Sequence, residues 1–180
     1  MIRLILLLLI TLTVTIGCAK EKKENAGEKQ ESATLPTVMG SPAPDFTLSG
    51  PAGETRLSTL KGKLVLVHFW ATWCPPCREE LPSLAGLNAR MGGKPFRLLA
   101  ISIDNEGNEA VQKLLGRLGI TLPVLLDPSS QVAKQYGITG VPETFIISPS
   151  GVVLKKIVGS MDWSSPETLA YLNDAMKSGN

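Results

Sequence analysis

Two cysteines separated by two prolines lie in the stretch WATWCPPCREELP, which runs from Trp70 to Pro82. Cys74 and Cys77 are the only closely spaced pair among the three cysteines of the chain. Thiols at this spacing either bind a metal ion or exchange disulfides. A structural zinc site needs four ligands, and beyond this pair the chain offers only His68 and the distant Cys18 as Cys or His ligands. We therefore expect thiol–disulfide exchange, with no metal and no cofactor other than the cysteine pair.

The position of the pair also favours chemistry over a static disulfide. A bridge between residues three apart closes a very small loop and stabilises little by the chain-entropy argument. Cys74 falls between a predicted strand and a predicted helix, where free backbone N–H groups and the helix dipole favour the thiolate. Cys74 is thus expected to be accessible and to attack a partner disulfide, whereas Cys77 is expected to be more buried and to release the reduced partner.

The segments around the pair alternate between strands and helices. Continuous apolar runs predict two buried strands, and helical spacing of leucines predicts a helix from Pro75 to about Met91. An N-terminal β-hairpin, a C-terminal β-hairpin and a last helix with Ser165 as N-cap and Pro166 at its first position complete the pattern. This order predicts an α/β fold with a mixed central sheet and helices on both faces. The segments are PDFTLSGPAGETRLSTL, KLVLVHFWA, FRLLAISID, NEAVQKLLGRLGI, LPVLLD, SSQVAKQYGI, ETFIIS and GVVLKKIVG.

The N-terminal 40 residues are set apart by their composition. Residues 1–17 carry one cation and an apolar run too short to span a membrane, so we predict a signal peptide. Cys18 follows a glycine as in the lipobox of bacterial lipoproteins, and we predict that it is lipidated. Lipoboxes usually have leucine where this chain has Thr15, so ordinary cleavage or an uncleaved anchor stays open. Residues 18–40 are rich in Lys and Glu and predict a flexible tether, which leaves residues 41–180 as the folded domain.

Two motifs in this domain resemble one known family. FWATWCPPCREELP and GVPETFIIS are similar to the exported thioredoxin-like reductases of the TlpA, ResA and DsbE (CcmG) group, and the resemblance extends from about Pro42 to Lys177. It implies the thioredoxin fold, and the segment NEAVQKLLGRLGITLPVLLD matches the central insertion of this group. It also implies that Pro142 is a cis-proline facing the dithiol and that the backbone of Val141 pairs with substrate as an added strand.

The same resemblance implies roles for neighbouring side chains. Glu80 matches a glutamate that helps to move protons in this group, although a solvent-facing helix glutamate is the alternative. Glu143 resembles an acid found after the cis-proline in the DsbE type, and Trp73 is expected to flank the site and contact substrate. His68 occupies the position of a buried, proton-accepting Asp in thioredoxin, so it either takes that proton or is a satisfied core residue. Three further residues are interpreted as packing: Trp70, Met161 and Trp163.

These features predict a protein disulfide reductase outside the cytoplasm, in the periplasm and held at the membrane by lipidated Cys18. The resemblance implies protein thiol and disulfide substrates, with apocytochrome c as a candidate, and re-reduction by a membrane thiol-electron transporter of the CcdA/DsbD type. The net charge of +2 gives no basic field for nucleic acid, and a monomer is expected. Two alternatives remain: a binding module with an inert CxxC, and a peroxiredoxin-like peroxidase, although Val67 and Ala71 replace the proline and threonine of that class.

Overall fold

A five-stranded mixed sheet forms the centre of the computed structural model, which describes residues 37–177. The predicted signal peptide, Cys18 and most of the predicted tether lie outside the described residues. None of the helices between residues 37 and 177 is long and apolar enough to cross a membrane. The elements in chain order are β1 (Thr47–Gly50), β2 (Gly53–Arg56), a 3₁₀ turn (Leu57–Leu60), β3 (Leu64–Trp70), α1 (Pro75–Arg90), β4 (Phe96–Ser102), α2 (Asn108–Leu118), β5 (Val124–Leu126), α3 (Gln131–Gln135), β6 (Glu143–Ile147), β7 (Val153–Val158) and α4 (Pro166–Lys177).

The strand order β5-β4-β3-β6-β7 confirms the predicted mixed sheet. Strands β3, β4 and β5 run parallel, whereas β6 pairs antiparallel with both β3 and β7. The predicted N-terminal hairpin is present as the separate antiparallel pair of β1 and β2. Strand β3 lies in the middle, and all seven of its residues are buried, as its continuous apolar run predicts.

Alternate residues of β3 face two different apolar clusters, one on each side of the sheet. Leu64, Leu66 and Trp70 pack with the inner faces of α1, α2 and α4. Val65, Val67 and Phe69 pack on the opposite side with α3, Tyr136 and the segment before β3. His68 has the same parity as the first set, so its side chain points toward α1. Helices therefore cover both faces, as the sequence predicts.

The start of α1 is determined by the cysteine motif itself. Cys74 has extended backbone angles and is the N-cap, and Pro75 takes the first helical position, where a missing N–H costs nothing. Leu81, Leu84 and Leu87 recur on the face that packs against the sheet. The helix consequently begins at the pair and presents Cys77 and Glu80 one turn apart on its buried side.

The first described residues run beside the beginning of β7. The backbone N–H of Gly40 donates to the carbonyl of Val153 at 2.8 Å, and Pro42 forms an isolated antiparallel bridge with Val152. These contacts extend the antiparallel edge of the sheet and fix where the chain enters the domain.

Candidate active site

Cys74 and Cys77 form a disulfide across the first turn of α1. The backbone N–H of Cys77 donates to the Cys74 sulfur at 3.3 Å. Pro75 and Pro76 lie between them and have no N–H to offer. The sulfur of Cys74 thus receives a hydrogen bond from the third helical residue, together with the positive end of the helix dipole.

The two cysteines differ only slightly in exposure. Cys74 is 3% exposed and Cys77 is fully buried, so the direction matches the sequence-based expectation but the contrast is small. In the disulfide form Cys74 is not the openly accessible residue that its loop position predicts, because Cys74 and Ala71 both belong to the apolar core cluster on this side of the sheet. Neighbouring Trp73, by contrast, is 64% exposed and marks the outer edge of the site.

The loop before β6 faces the sulfur of Cys74. The peptide bond between Val141 and Pro142 is cis, and the carbonyl oxygen of Val141 lies 3.4 Å from the Cys74 sulfur. A surface groove of about 290 Å³ runs between this loop, Trp73 and the end of α3, and it is lined mostly by apolar side chains and backbone. Its lining includes Trp73, Ile103, Ala133, Lys134, Thr139 and Val141.

Glu80 lies inside the protein rather than on the solvent face of α1. Its residue is 5% exposed, and its Oε2 accepts hydrogen bonds from the backbone N–H of Met161 at 3.1 Å and from Nε1 of Trp163 at 3.0 Å. Burial raises the pKa of this carboxyl group, while the two hydrogen bonds oppose that effect. The packing interpretation of Met161 and Trp163 is therefore incomplete, because both residues also hold the carboxyl group of Glu80.

His68 faces the same carboxyl group from the sheet. Its Nε2 lies 3.4 Å from Oε1 of Glu80, and its Nδ1 lies 2.8 Å from the hydroxyl oxygen of Thr144. The ring is fully buried and meets the Trp163 ring edge to face at 6.3 Å between centroids. Burial lowers the pKa of His68 to about 3, so the imidazole is neutral at pH 7.

Glu143 is buried behind the cis-proline loop. Its Oε1 accepts hydrogen bonds from the backbone N–H and the hydroxyl of Thr139, and its Oε2 lies 2.8 Å from Nζ of Lys156. The residue is 1% exposed, so this geometry does not favour the predicted contact with substrate. Glu143 instead connects β6 and β7 to the loop that faces Cys74.

Sequence reasoning missed one buried carboxylate that positions the cysteine loop. Asp104 accepts hydrogen bonds from the backbone N–H and the hydroxyl of Thr72, and from the hydroxyl of Ser102. Thr72 and Asp104 each follow one of two neighbouring parallel strands, β3 and β4. The sequence could have indicated this contact, because polar residues that follow neighbouring parallel strands meet at one edge of a sheet.

The site can form and break disulfides, and known proteins with this arrangement do so. A family model described as the AhpC/TSA family matches residues 39–156. The thiol-disulfide oxidoreductase ResA of Geobacillus thermodenitrificans is 39% identical over 125 residues, which cover 69% of this chain and 71% of that one. ResA of Bacillus subtilis is 37% identical over 123 residues, covering 68% of each chain.

A solved structure gives the same result. The Chlorobium tepidum structure assigned to the thiol:disulfide interchange protein DsbE superposes with a TM-score of 0.70 at 32% identity, covering 77% of this chain and 98% of that one. The fold is therefore the thioredoxin fold, and the protein is a thiol-disulfide oxidoreductase. The chain belongs to the AhpC/TSA family and, by its relatives, to the TlpA/ResA/DsbE group of thiol-disulfide oxidoreductases.

Proposed function

We propose that this protein reduces disulfides of exported proteins, with Cys74 as the attacking thiol and Cys77 as the resolving thiol. The observation that carries the proposal is the environment of the Cys74 sulfur. It lies at the N-terminus of α1, accepts the Cys77 N–H and faces the Val141 carbonyl beside an open groove. A helix N-terminus favours the thiolate, which is the nucleophilic form.

The reaction consists of two exchange steps. In the reduced protein the Cys74 thiolate attacks one sulfur of the client disulfide, which forms a mixed disulfide and releases the other client sulfur as a thiolate. The Cys77 thiolate then attacks the Cys74 sulfur, forms the Cys74–Cys77 disulfide and releases the second client thiolate. The cysteine pair loses two electrons to the client, and the two released client thiolates take up from solvent two protons that balance those given up by Cys74 and Cys77.

Glu80 is the proposed proton acceptor for Cys77. The two residues are three positions apart on the buried side of α1, where side chains at this spacing are neighbours. Cys77 must lose its proton before it attacks, and because the residue is fully buried a neighbouring group has to accept that proton. A carboxylate whose pKa is raised by burial is a better base than an ordinary surface glutamate.

The groove beside Trp73 and Val141 is the proposed client site. An extended client segment that lies along Val141 brings its disulfide over Cys74 while its side chains contact the apolar lining of the groove. Apocytochrome c, which presents a cysteine pair before haem attachment, is the client we propose to test first.

Dithiothreitol-driven reduction of insulin tests the proposed chemistry. The wild-type domain should accelerate the reaction, Cys74→Ser should abolish the acceleration, and Cys77→Ala should accumulate mixed disulfides because the resolving thiol is missing. Mass spectrometry of the trapped adducts from the export compartment identifies the clients. Turnover that survives in Cys74→Ser would overturn the assignment of the two roles. An unaccelerated wild-type reaction would favour the inert binding module.

The peroxidase alternative from the sequence analysis is tested on the same sample. Val67 and Ala71 stand where peroxiredoxins carry a proline and a threonine before the reactive cysteine. We therefore expect no consumption of hydrogen peroxide above that of a Cys74→Ser control.

We further propose that the domain works outside the cytoplasm as a monomer, anchored through lipidated Cys18 and re-reduced by a membrane transporter of the CcdA/DsbD type. The support is the sequence of residues 1–18, in which an uncharged apolar run after Arg3 leads to Cys18. Several acyl chains anchor a protein firmly, so Cys18→Ser should move the protein from the membrane fraction to the soluble fraction. Retention of that variant in the membrane fraction would point to an uncleaved anchor instead.

A further inference from the structure

A buried imidazole and a buried carboxyl group face each other on the inner side of the active site. His68 Nε2 and Glu80 Oε1 are 3.4 Å apart, and within residues 37–177 neither buried atom forms a hydrogen bond, with the other or with a third group. Every other polar atom of the two side chains is paired, His68 Nδ1 with Thr144 and Glu80 Oε2 with Met161 and Trp163. The two unpaired atoms are therefore each other's available partners.

A neutral imidazole can serve this carboxyl group in either protonation state. When Glu80 is ionised, the ring can carry its proton on Nε2 and donate it to Oε1, while Nδ1 accepts from the Thr144 hydroxyl. When Glu80 is protonated, the acid can donate to Nε2, and the ring then carries its proton on Nδ1 and donates it to the Thr144 oxygen. The Thr144 hydroxyl rotates to allow both arrangements. A surface side chain needs no such partner, but a buried one that changes its charge does.

We propose that His68 is a positioning residue for thiol–disulfide exchange, whose neutral ring changes tautomer so that Glu80 stays hydrogen-bonded both as a carboxylate and as an acid. The proposal deepens the function proposed above, in which Glu80 takes the proton of Cys77. In that step the Cys77 S–H bond breaks, an O–H bond forms on Glu80, and the sulfur keeps the electron pair. The imidazole ring gains no net proton.

A surface cavity gives the proton a way out. Glu80 lines a cavity of about 310 Å³ together with Glu79, Ser83, Ser160, Met161 and Asp162. The carboxyl group of Glu80 faces His68 on one side, and on the other it binds the backbone N–H of Met161, which also lines this cavity. A proton taken from Cys77 can leave through this cavity while the imidazole keeps the carboxyl group in place.

The groups that face the pair come from four elements. Helix α1 contributes Cys77 besides Glu80, and β6 contributes the uncharged Thr144. Strand β4 contributes Ala100, which is the register partner of His68, and the segment before α4 contributes Trp163 and, at the cavity, Asp162. The titratable neighbours of His68 and Glu80 among these contacts are Cys77 and the two acidic residues that line the cavity, Glu79 and Asp162.

Nuclear magnetic resonance on the full domain tests the tautomer change without any substitution. His68 is the only histidine of the chain, so its two ¹⁵N signals need no assignment. The Glu80 carboxyl carbon is followed in the same pH titration. We expect the His68 ring to stay neutral across the titration of Glu80. Its proton should be on Nε2 at pH values above the midpoint of that titration and on Nδ1 at pH values below it. The same protonated nitrogen on both sides of the midpoint, or an imidazolium ion there, would overturn the proposal.

Two matched variants test the contact atom by atom. In His68→Gln the new amide lies at the position of Nε2, and it can both donate and accept. In His68→Asn the amide lies at the position of Nδ1 and no longer reaches Glu80. We expect the Glu80 midpoint to stay in place in His68→Gln and to rise in His68→Asn, because a charge-assisted hydrogen bond to the carboxylate is lost. Equal midpoints in both variants would contradict the proposal.

The kinetic consequence is measured on the resolving step. The pH at which Cys77 displaces a preformed mixed disulfide at half of its maximal rate should rise in His68→Asn together with the Glu80 titration, because Glu80 must be ionised to take the proton, and it should stay in place in His68→Gln. A profile unchanged in His68→Asn would remove His68 from the reaction. Failure of the wild-type domain to reduce insulin would instead refute the proposed function, and the spectroscopic result would stand apart from it.

Discussion

The sulfur of Cys74 accepts one hydrogen bond from a backbone N–H, that of Cys77. The two residues between the cysteines are prolines, which have no backbone N–H. The thiolate is therefore only modestly stabilised, since neither proline adds a donor or a charge. A weakly stabilised thiolate makes a reducing pair, so we expect a potential nearer to thioredoxin, at about −270 mV, than to DsbA, at about −120 mV. Equilibration against glutathione measures it, and a value close to that of DsbA would contradict this account.

Substitution of Pro76 separates the two sources of thiolate stabilisation. Pro76→Ala restores one backbone N–H beside the sulfur, and Pro76→His adds an imidazole as well. Both substitutions should lower the pKa of Cys74 and raise the reduction potential, by about 30 mV for each unit by which the pKa falls. The larger effect is expected in Pro76→His. Potentials of both variants equal to that of the wild type would show that another group controls the site.

The ion pair between Glu143 and Lys156 should respond unequally to the loss of either partner. Lys156→Met leaves a carboxylate that is 1% exposed without its cation, and we expect a loss of about 2–3 kcal/mol in the free energy of unfolding. Glu143→Gln keeps an acceptor for Thr139, and Lys156 can turn toward water, so about 1 kcal/mol is expected. Urea denaturation of both variants checks the order, and a larger loss in Glu143→Gln would contradict it.

At the scale of elements, Asp104 joins the ends of β3 and β4 beneath the cysteine loop. Asp104→Ala removes the acceptor of three groups on Thr72 and Ser102, so we expect a loss of about 2–3 kcal/mol in unfolding free energy and slower insulin reduction. Asp45→Ala is the matched control, because Asp45 also accepts hydrogen bonds but lies before β1. A normal reduction rate in Asp104→Ala would separate this carboxylate from the site.

The elements themselves follow from local patterns in the sequence. A continuous apolar run specifies β3, and leucines at helical spacing with a proline start specify α1, because both patterns depend on near neighbours. The 3₁₀ turn from Leu57 to Leu60 was not predicted, although both leucines are buried at its ends. A single turn is too short to produce a detectable period.

The contacts within the site could be predicted only in part. The resemblance to the family indicated Pro142 and the importance of Glu80, but not what surrounds them. The bond from Trp163 to Glu80 joins residues 83 positions apart, and the contact of His68 with Thr144 joins residues 76 apart. Such pairs depend on which faces of the sheet and helices meet, and no period in the sequence records that.

For the whole molecule, the buried histidine predicts a loss of stability in acid. His68 has a pKa of about 3 in the folded protein and 6.5 when unfolded, so below pH 6.5 the unfolded chain binds a proton that the folded chain does not. Its contribution should fall by about 2 kcal/mol between pH 7.5 and 5. Glu80 has the opposite effect, because burial raises its pKa in the folded protein. Its contribution to the free energy of unfolding is present at low pH and is lost as the pH rises through its folded pKa.

The difference between wild type and His68→Gln isolates the histidine from Glu80. Urea denaturation at several pH values should show the wild type losing stability relative to His68→Gln as the pH falls from 7.5 to 5. Parallel curves would mean that His68 is not buried as a neutral base.

The place where the chain enters the sheet determines which end of the domain an N-terminal attachment would hold. Gly40 and Pro42 join the sheet beside Val152 and Val153, at the turn that follows β6, whereas Pro142 and Cys74 lie at the other end of that strand. A strand of five residues separates the two by about 15 Å. An attachment through the N-terminus would therefore hold the domain at the end opposite the dithiol. Cys74 and the cis-proline loop then lie at the end of β6 that is farther from the entering chain.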